Sequence, residues 1–496
     1  MRFWFSSCVL VLGMAMMVNA QTPQVDGPDR SQRPVIGSPA PLRLPAIQKY
    51  NLSNGIPVWV MNKDDSYLAT ISIIVDAGAN KEPTDKLGVA YLTTEMLRAG
   101  TEKYDTISFT DKLGDLGAIL FNYSNEFYTE LVIRMTNRNL EGGVEILEEA
   151  VRHPVFPDKE LKRIKGDVLT NFIQSRKSPS TLANRAFLHR VYAQEPGNRQ
   201  AVPVDGTAKT CASITRDDVV KFHKENYVPE NISIFVAGNA NTELVLSTLE
   251  KHFGSWQSSG LNDHKRIKVS DKVNKIAKKD QGQTIYVVDR PGSAQSVIRV
   301  GCIGYECNRR DYFPLKVMNE VLGGSFMSHL NQNLRERNGY TYVASSRFEL
   351  LSEPGPFRVS ADVQTDKTVP ALKEILKEIR SMRNPIAKEE LDRVKKHICY
   401  SLPEKFETSA RLTTQMLHIS LYNLPDDYLS TYVDNIMKVD NEAMEPYRVS
   451  FFGTRPMEVV IVGDAKAIAE QLKGVPEFHM ELLPIEEFMG PEVKPD

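Results

Sequence analysis

The chain has 496 residues, 41% of them hydrophobic and 25% charged, which supplies several packed cores and excludes a disordered protein. A formal net charge of -2, from 61 basic and 63 acidic side chains, excludes the phosphate-neutralising surface of a nucleic-acid binder, so no nucleic-acid partner is expected. In chain order, Met1-Arg2 and the apolar run from Val9 lead to Val18-Asn19-Ala20, a small-residue cleavage site. This predicts a signal peptide over residues 1–20, cleaved near Ala20, and a periplasmic or secreted protein. The apolar run is shorter than the roughly 20 residues of a membrane-spanning helix. Lipid attachment at Cys8 is the alternative. Residues 21–43 are proline-rich and predict an extended leader.

Asn54-Gly55 between Lys49–Leu52 and Ile56–Val60 predicts a β-hairpin, because both turn residues tolerate positive φ. Tyr67–Val75 follows as a buried strand, and a helix begins near Leu87. The same order recurs later, with strands over 284–288 and 297–301 and a helix near Phe313, which indicates an internal repeat with a period a little over two hundred residues. Lys159-Glu-Leu-Lys-Arg163 and Glu389-Glu-Leu-Asp-Arg393 each open a long helix shortly after a proline. Ile234–Gly238 and Val459–Gly463 each predict a strand followed by an amphipathic helix, 242–252 and 465–472. The repeat predicts an α+β protein of two homologous lobes, 44–257 and 276–475, joined by a polar linker over 258–275 and ending in a tail over 476–496. Each lobe is expected to carry an antiparallel-rich mixed sheet with long helices packed on one face. Cys211, Cys302, Cys307 and Cys399 show no C-x-x-C spacing, and their disulfide state stays open.

The stretch Gly88-Val-Ala-Tyr91-Leu-Thr-Thr94-Glu95-Met-Leu-Arg-Ala-Gly100-Thr101 resembles the helix that bears the inverted zinc motif H-x-x-E-H in the family of insulinase, pitrilysin and mitochondrial processing peptidase. The resemblance puts Tyr91 at the first ligand histidine, Thr94 at the general-base glutamate and Glu95 at the second ligand histidine. The family's later glutamate ligand falls 76 residues beyond Glu95, at Asn171, and Ile164 replaces a supporting acidic residue. Catalytic zinc needs three protein ligands and an open place for a water whose pKa it lowers to roughly 7. Tyrosine binds zinc well only when deprotonated, asparagine is a weak neutral donor, and threonine cannot shuttle a proton as a carboxylate does. No zinc or other cofactor is therefore expected in this chain, and Tyr91, Thr94, Glu95 and Asn171 are expected to fill the vacated site. None of the nine histidines stands four residues from another, and no G-x-S-x-G elbow or activated-cysteine context offers another nucleophile.

From Val321 the second half predicts a helix stopped at Asn338-Gly339 and followed by a strand. Leu334-Arg335-Glu336-Arg-Asn-Gly339-Tyr-Thr-Tyr342 resembles the family element L-R-E-x-x-G-x-x-Y. By that resemblance Arg335 and Tyr342 contact the carbonyl oxygens of an extended peptide and stabilise developing oxyanion charge, in trans with a partner. The plainer alternative is that Arg335 complements a helix C-terminus and Tyr342 packs in a half-buried strand. The resemblance runs from about Leu44 to Leu472 and implies a clamshell chamber. It further implies a metal-free subunit of a heteromeric zinc metalloendopeptidase acting on peptides, inactive alone and paired with a zinc-bearing subunit that has an intact H-x-x-E-H. The alternative is a catalytically inert scaffold or peptide-binding protein of a membrane-associated envelope assembly.

Overall fold

Gly55, at φ +90°, reverses the chain so that β1 (Gln48–Asn51) pairs antiparallel with β2 (Pro57–Asn62) in the computed structural model of the protein. The structure describes residues 37–40, 42–192, 198–239, 241–257, 282–307 and 309–492. The predicted signal peptide, most of the leader and the predicted linker over 258–275 lie outside the described residues.

Beyond the hairpin come β3 (Leu68–Val75), β4 (Ile119–Ser124), β5 (Thr129–Thr136) and β6 (Ile232–Gly238), in the sheet order β1-β2-β6-β3-β5-β4. The second half supplies β7 (Gln283–Asp289), β8 (Gln295–Ile303), β9 (Ala344–Phe348), β10 (Pro356–Gln364), β11 (Glu458–Gly463) and β12 (Phe478–Leu482), in the order β12-β7-β11-β8-β10-β9. Five strands correspond one to one between the sheets, so the repeat legible in the sequence is a repeat of topology. Only the first edge differs. β1 precedes its sheet and runs antiparallel to β2, whereas β12 follows its sheet and runs parallel to β7. The segment from Pro476, expected as a tail, is therefore part of the fold, and its helix Ile485–Met489 buries Phe488 and Met489 in a shared core.

Long helices cover one face of each sheet as expected, and a helix from the other half covers the opposite face. Pro179–Tyr192, in the first half, lies on β8 and β11, with Leu182, Phe187, Val191 and Tyr192 buried against Val288, Val297, Val460 and Val462. Burying those four large side chains contributes on the order of 6–12 kcal/mol. Gly301 on β8 gives Phe187 its room, since a Cβ there would sit 3.0 Å from the ring. Reciprocally, Ser409–Leu421 lies on β2, β3 and β6, and Leu412, Met416 and Leu417 join Met61, Ile74 and Phe235 in one core. A buried hydrogen bond of 2.8 Å between Ser409 Oγ and Thr70 Oγ1 fixes the register. The described residues from Pro39 onward thus cluster as one compact unit in which the two halves share cores.

The helix expected from Val321 is broken. A π-helical turn over Glu320–Gly324 ends at Ser325, helix resumes at His329, and a second π-helical turn spans Gln332–Arg337. The strand expected after Gly339 starts only at Ala344, which leaves Tyr342 in the connection.

Candidate functional site

The helix Val89–Met96 carries Tyr91, Thr94 and Glu95, and its first turn is capped from a distance. Gly88, the residue before it, has no side chain to cap the free N–H groups. The buried Glu82 carboxylate replaces one, with Oε1 accepting from Gly88 N at 3.0 Å and Ala90 N at 2.9 Å. Its Oε2 accepts from Arg199 Nε at 3.0 Å and Nη2 at 2.8 Å. Arg199 also donates to the carbonyls of Val202 and Pro203, so one ion pair ties the loop after Arg199 to the start of the site helix. Burial pushes the Glu82 carboxyl up, and Arg199 opposes that shift.

Tyr91 and Glu95 meet Ile164 and Asn171, from the helix Asp158–Lys177, in a pocket of about 500 Å³. The register deduced from the motif therefore brings these four positions together. Thr94 turns away. Its hydroxyl donates to Ala90 O at 2.8 Å and lies 3.0 Å from the hydroxyl of Thr129 on β5, which in turn donates to Ala77 O. Tyr227 is buried beside both threonines, and that burial pushes its phenol up to about 12 against the pull of Thr129 and Thr94.

Burial, then the neighbouring Glu95 and Asp205 carboxylates, pushes the Tyr91 phenol up to about 12, so it stays protonated at neutral pH. Glu95 accepts a 2.8 Å hydrogen bond from Asn122 Nδ2 on β4. Burial raises its carboxyl, against the pull of Arg98, Asn122 and Arg163. Asn171 adds a neutral amide. A protonated phenol, an amide and one carboxylate already bound to Asn122 and flanked by guanidinium groups do not fit catalytic zinc, which needs three basic donors and an open position. Among the described residues, no group of three or more His, Cys, Asp or Glu side chains is placed to hold a metal ion.

Sequence reading missed Asn122, Arg98 and Arg163 in this site. Arg163 was within reach, since 163, 167 and 171 recur every four residues on one helix face and all three line the pocket. Asn122 lies on a strand with no local sign of its partner.

Arg335 and Tyr342 lie in the other half and do not line this pocket. The Arg335 guanidinium stacks over Phe326 at 4.3 Å and sits 3.6 Å from Glu336. Tyr342 is 86% exposed, beside Val343 at 63%.

Two profiles match the chain in succession: insulinase (peptidase family M16) over residues 58–202, and the peptidase M16 inactive domain over residues 213–398. A Helicobacter pylori protein called "Non-peptidase homolog YmxG" is 22% identical over 402 residues, covering 80% of this chain and 89% of the relative. A solved peptidase M16 inactive domain from Pseudomonas fluorescens superposes with a TM-score of 0.73 at 22% identity, over 84% of this chain and all but 2% of that one (98% covered). A chain in the structure of Complex III2 from Candida albicans superposes with a TM-score of 0.67 at 15% identity, over 88% of this chain and 100% of that one. The first profile lies within the first half, the second begins near the end of that half and runs on into the second, and the chain belongs to the insulinase family, peptidase family M16.

Proposed function

We propose that this chain is the metal-free subunit of a two-chain zinc endopeptidase acting on peptides in the periplasm or outside the cell, with Arg335 and Tyr342 serving catalysis in trans. The observation that carries this reading is the contrast between the two halves. Of Tyr91, Glu95 and Asn171 in the first half only Glu95 offers a donor that binds zinc well, too few for a catalytic site, while the second half presents a guanidinium and an exposed phenol outside any strand. A packing role does not explain the exposed Tyr342, whereas Arg335, in the last turn of its helix, also suits the helix C-terminus. Tyr342 has almost no packing, and Arg335 leans over an exposed Phe326 ring. Both groups suit hydrogen bonding to peptide carbonyls and to an oxyanion, whose charge a partner's zinc would share. Among the described residues no helix is long and apolar enough to cross a membrane.

The test is reconstitution. The full chain alone leaves casein uncut, and addition of a co-purified subunit with an intact H-x-x-E-H gives hydrolysis. Arg335→Ala or Tyr342→Phe then lowers kcat roughly 100-fold without weakening association. Wild-type turnover of both variants in the mixture would refute the catalytic role. That result would favour a second reading, an inert scaffold in an envelope assembly, to which the likeness to a chain of Complex III2 lends support.

A further inference from the structure

A larger cavity, about 960 Å³, opens between the halves, away from the vacated zinc site. One wall is the turn between β4 and β5, where Tyr123, Phe127 and Tyr128 project. Asn125 Oδ1 accepts from Phe127 N and Tyr128 N at 2.8 Å each, which holds the turn rigid. The other wall is the β9 edge of the second sheet, with Phe348 and Tyr422 completing an aromatic lining.

The charge of this cavity is opposite in sign to that of the chain. Four cations line it, Lys316, Arg347, Arg358 and Lys405, against the single carboxylate of Glu349, in a protein of net charge -2. Arg358 is bound by Glu349 at 3.0 Å and Lys316 by Glu320 at 3.3 Å. Glu126, in the same turn but not among the lining side chains, is partly balanced by Arg199. Arg347 and Lys405 have no ion-pair partner among the described residues. Arg347 is moreover the direct cross-strand partner of Arg358 in the β9–β10 register, a like-charge pairing that destabilises a sheet. Burial holds His418 below the ordinary imidazole value, so it adds no charge at neutral pH. Two uncompensated cations set among aromatic rings are arranged for an anionic ligand with apolar side chains.

We propose that this cavity binds acidic peptide segments, with carboxylate side chains on Arg347 and Lys405 and apolar ones against the aromatic wall. That the ligand is a peptide rests on the function proposed above, whereas its charge follows from the cavity alone.

The experiment is fluorescence anisotropy on the full metal-free chain without any partner. It uses a labelled Asp/Glu-rich peptide with one central Phe and its Lys-substituted counterpart. The acidic peptide should bind and the basic one should not. Affinity should fall as NaCl rises from about 0.05 M to about 0.3 M. Arg347→Ala and Lys405→Ala should each weaken binding about fivefold, with Arg347→Lys largely restoring it and neither alanine variant melting below wild type. Equal binding of the basic peptide, wild-type affinity in the double alanine variant, or full competition by free glutamate would overturn the proposal. Arg335 and Tyr342 do not line this cavity and are unchanged in this assay, so its failure leaves the catalytic reading standing, while a failed reconstitution leaves the cavity's preference for anions standing.

Discussion

At the residue scale, Glu95, Thr94 and Tyr91 each have a structural task. Glu95 holds Asn122, Thr94 donates to the Ala90 carbonyl, and Tyr91 fills space with a protonated phenol. Burial raises the Glu95 carboxyl, so its ionised form is the less favoured one in the folded protein. Below the ordinary carboxylate value both states hold the proton and no penalty arises. As pH rises past that value the unfolded chain ionises first, and the folded state loses relative stability. Glu95→Gln keeps an acceptor for Asn122 and removes this term. Urea denaturation should therefore show the variant gaining on wild type between mildly acidic and neutral pH. A gap that stays constant or shrinks would mean that ionised Glu95 is stabilised by Arg98 and Arg163 more than burial penalises it.

Among the elements, the site helix shows how far local sequence reaches. A helix near Leu87 was legible from its pattern, and its observed start, Val89, is close by. Its cap was not legible, because Arg199, which secures Glu82, is 117 residues away. Glu82→Ala leaves a buried guanidinium unpaired and two amide N–H groups without their acceptor, so unfolding free energy should drop by about 3–5 kcal/mol. A loss within roughly 0.5 kcal/mol of zero, the range of ordinary surface substitutions, would show that the clamp has no such role. The segment from Glu320 to Tyr342 failed in the other direction. Its pattern predicts a helix from Val321 stopped at Asn338-Gly339 and then a strand, but Gly323 packs against the Ser346 backbone, where a Cβ would meet the amide at 2.4 Å if nothing moved. Contact with β9 thus sets the break, and the Gly323-Gly324 pair, of low helix propensity, is its one local sign.

For the molecule as a whole, the exchange of helices makes the halves interdependent. Phe187→Ala, in the first half, removes a fully buried ring from the second sheet and should cost about 3–5 kcal/mol in a denaturant titration. Cleavage at a protease site engineered into residues 258–275 should leave both fragments in one peak on native size exclusion. Their separation would mean that the exchanged helices do not hold the halves together.

Two things were determined by the sequence alone. The chemistry missing from Tyr91, Thr94, Glu95 and Asn171 belongs to each side chain wherever it lies, and the repeat is written in local alternation and turn residues such as Asn54-Gly55. Tertiary structure decided the rest: which sheet Phe187 covers, that the segment after Pro476 becomes β12, and that Arg347 faces Arg358. Those outcomes are settled by pairings between residues distant in the chain, whose free energy exists only once the intervening loops have closed.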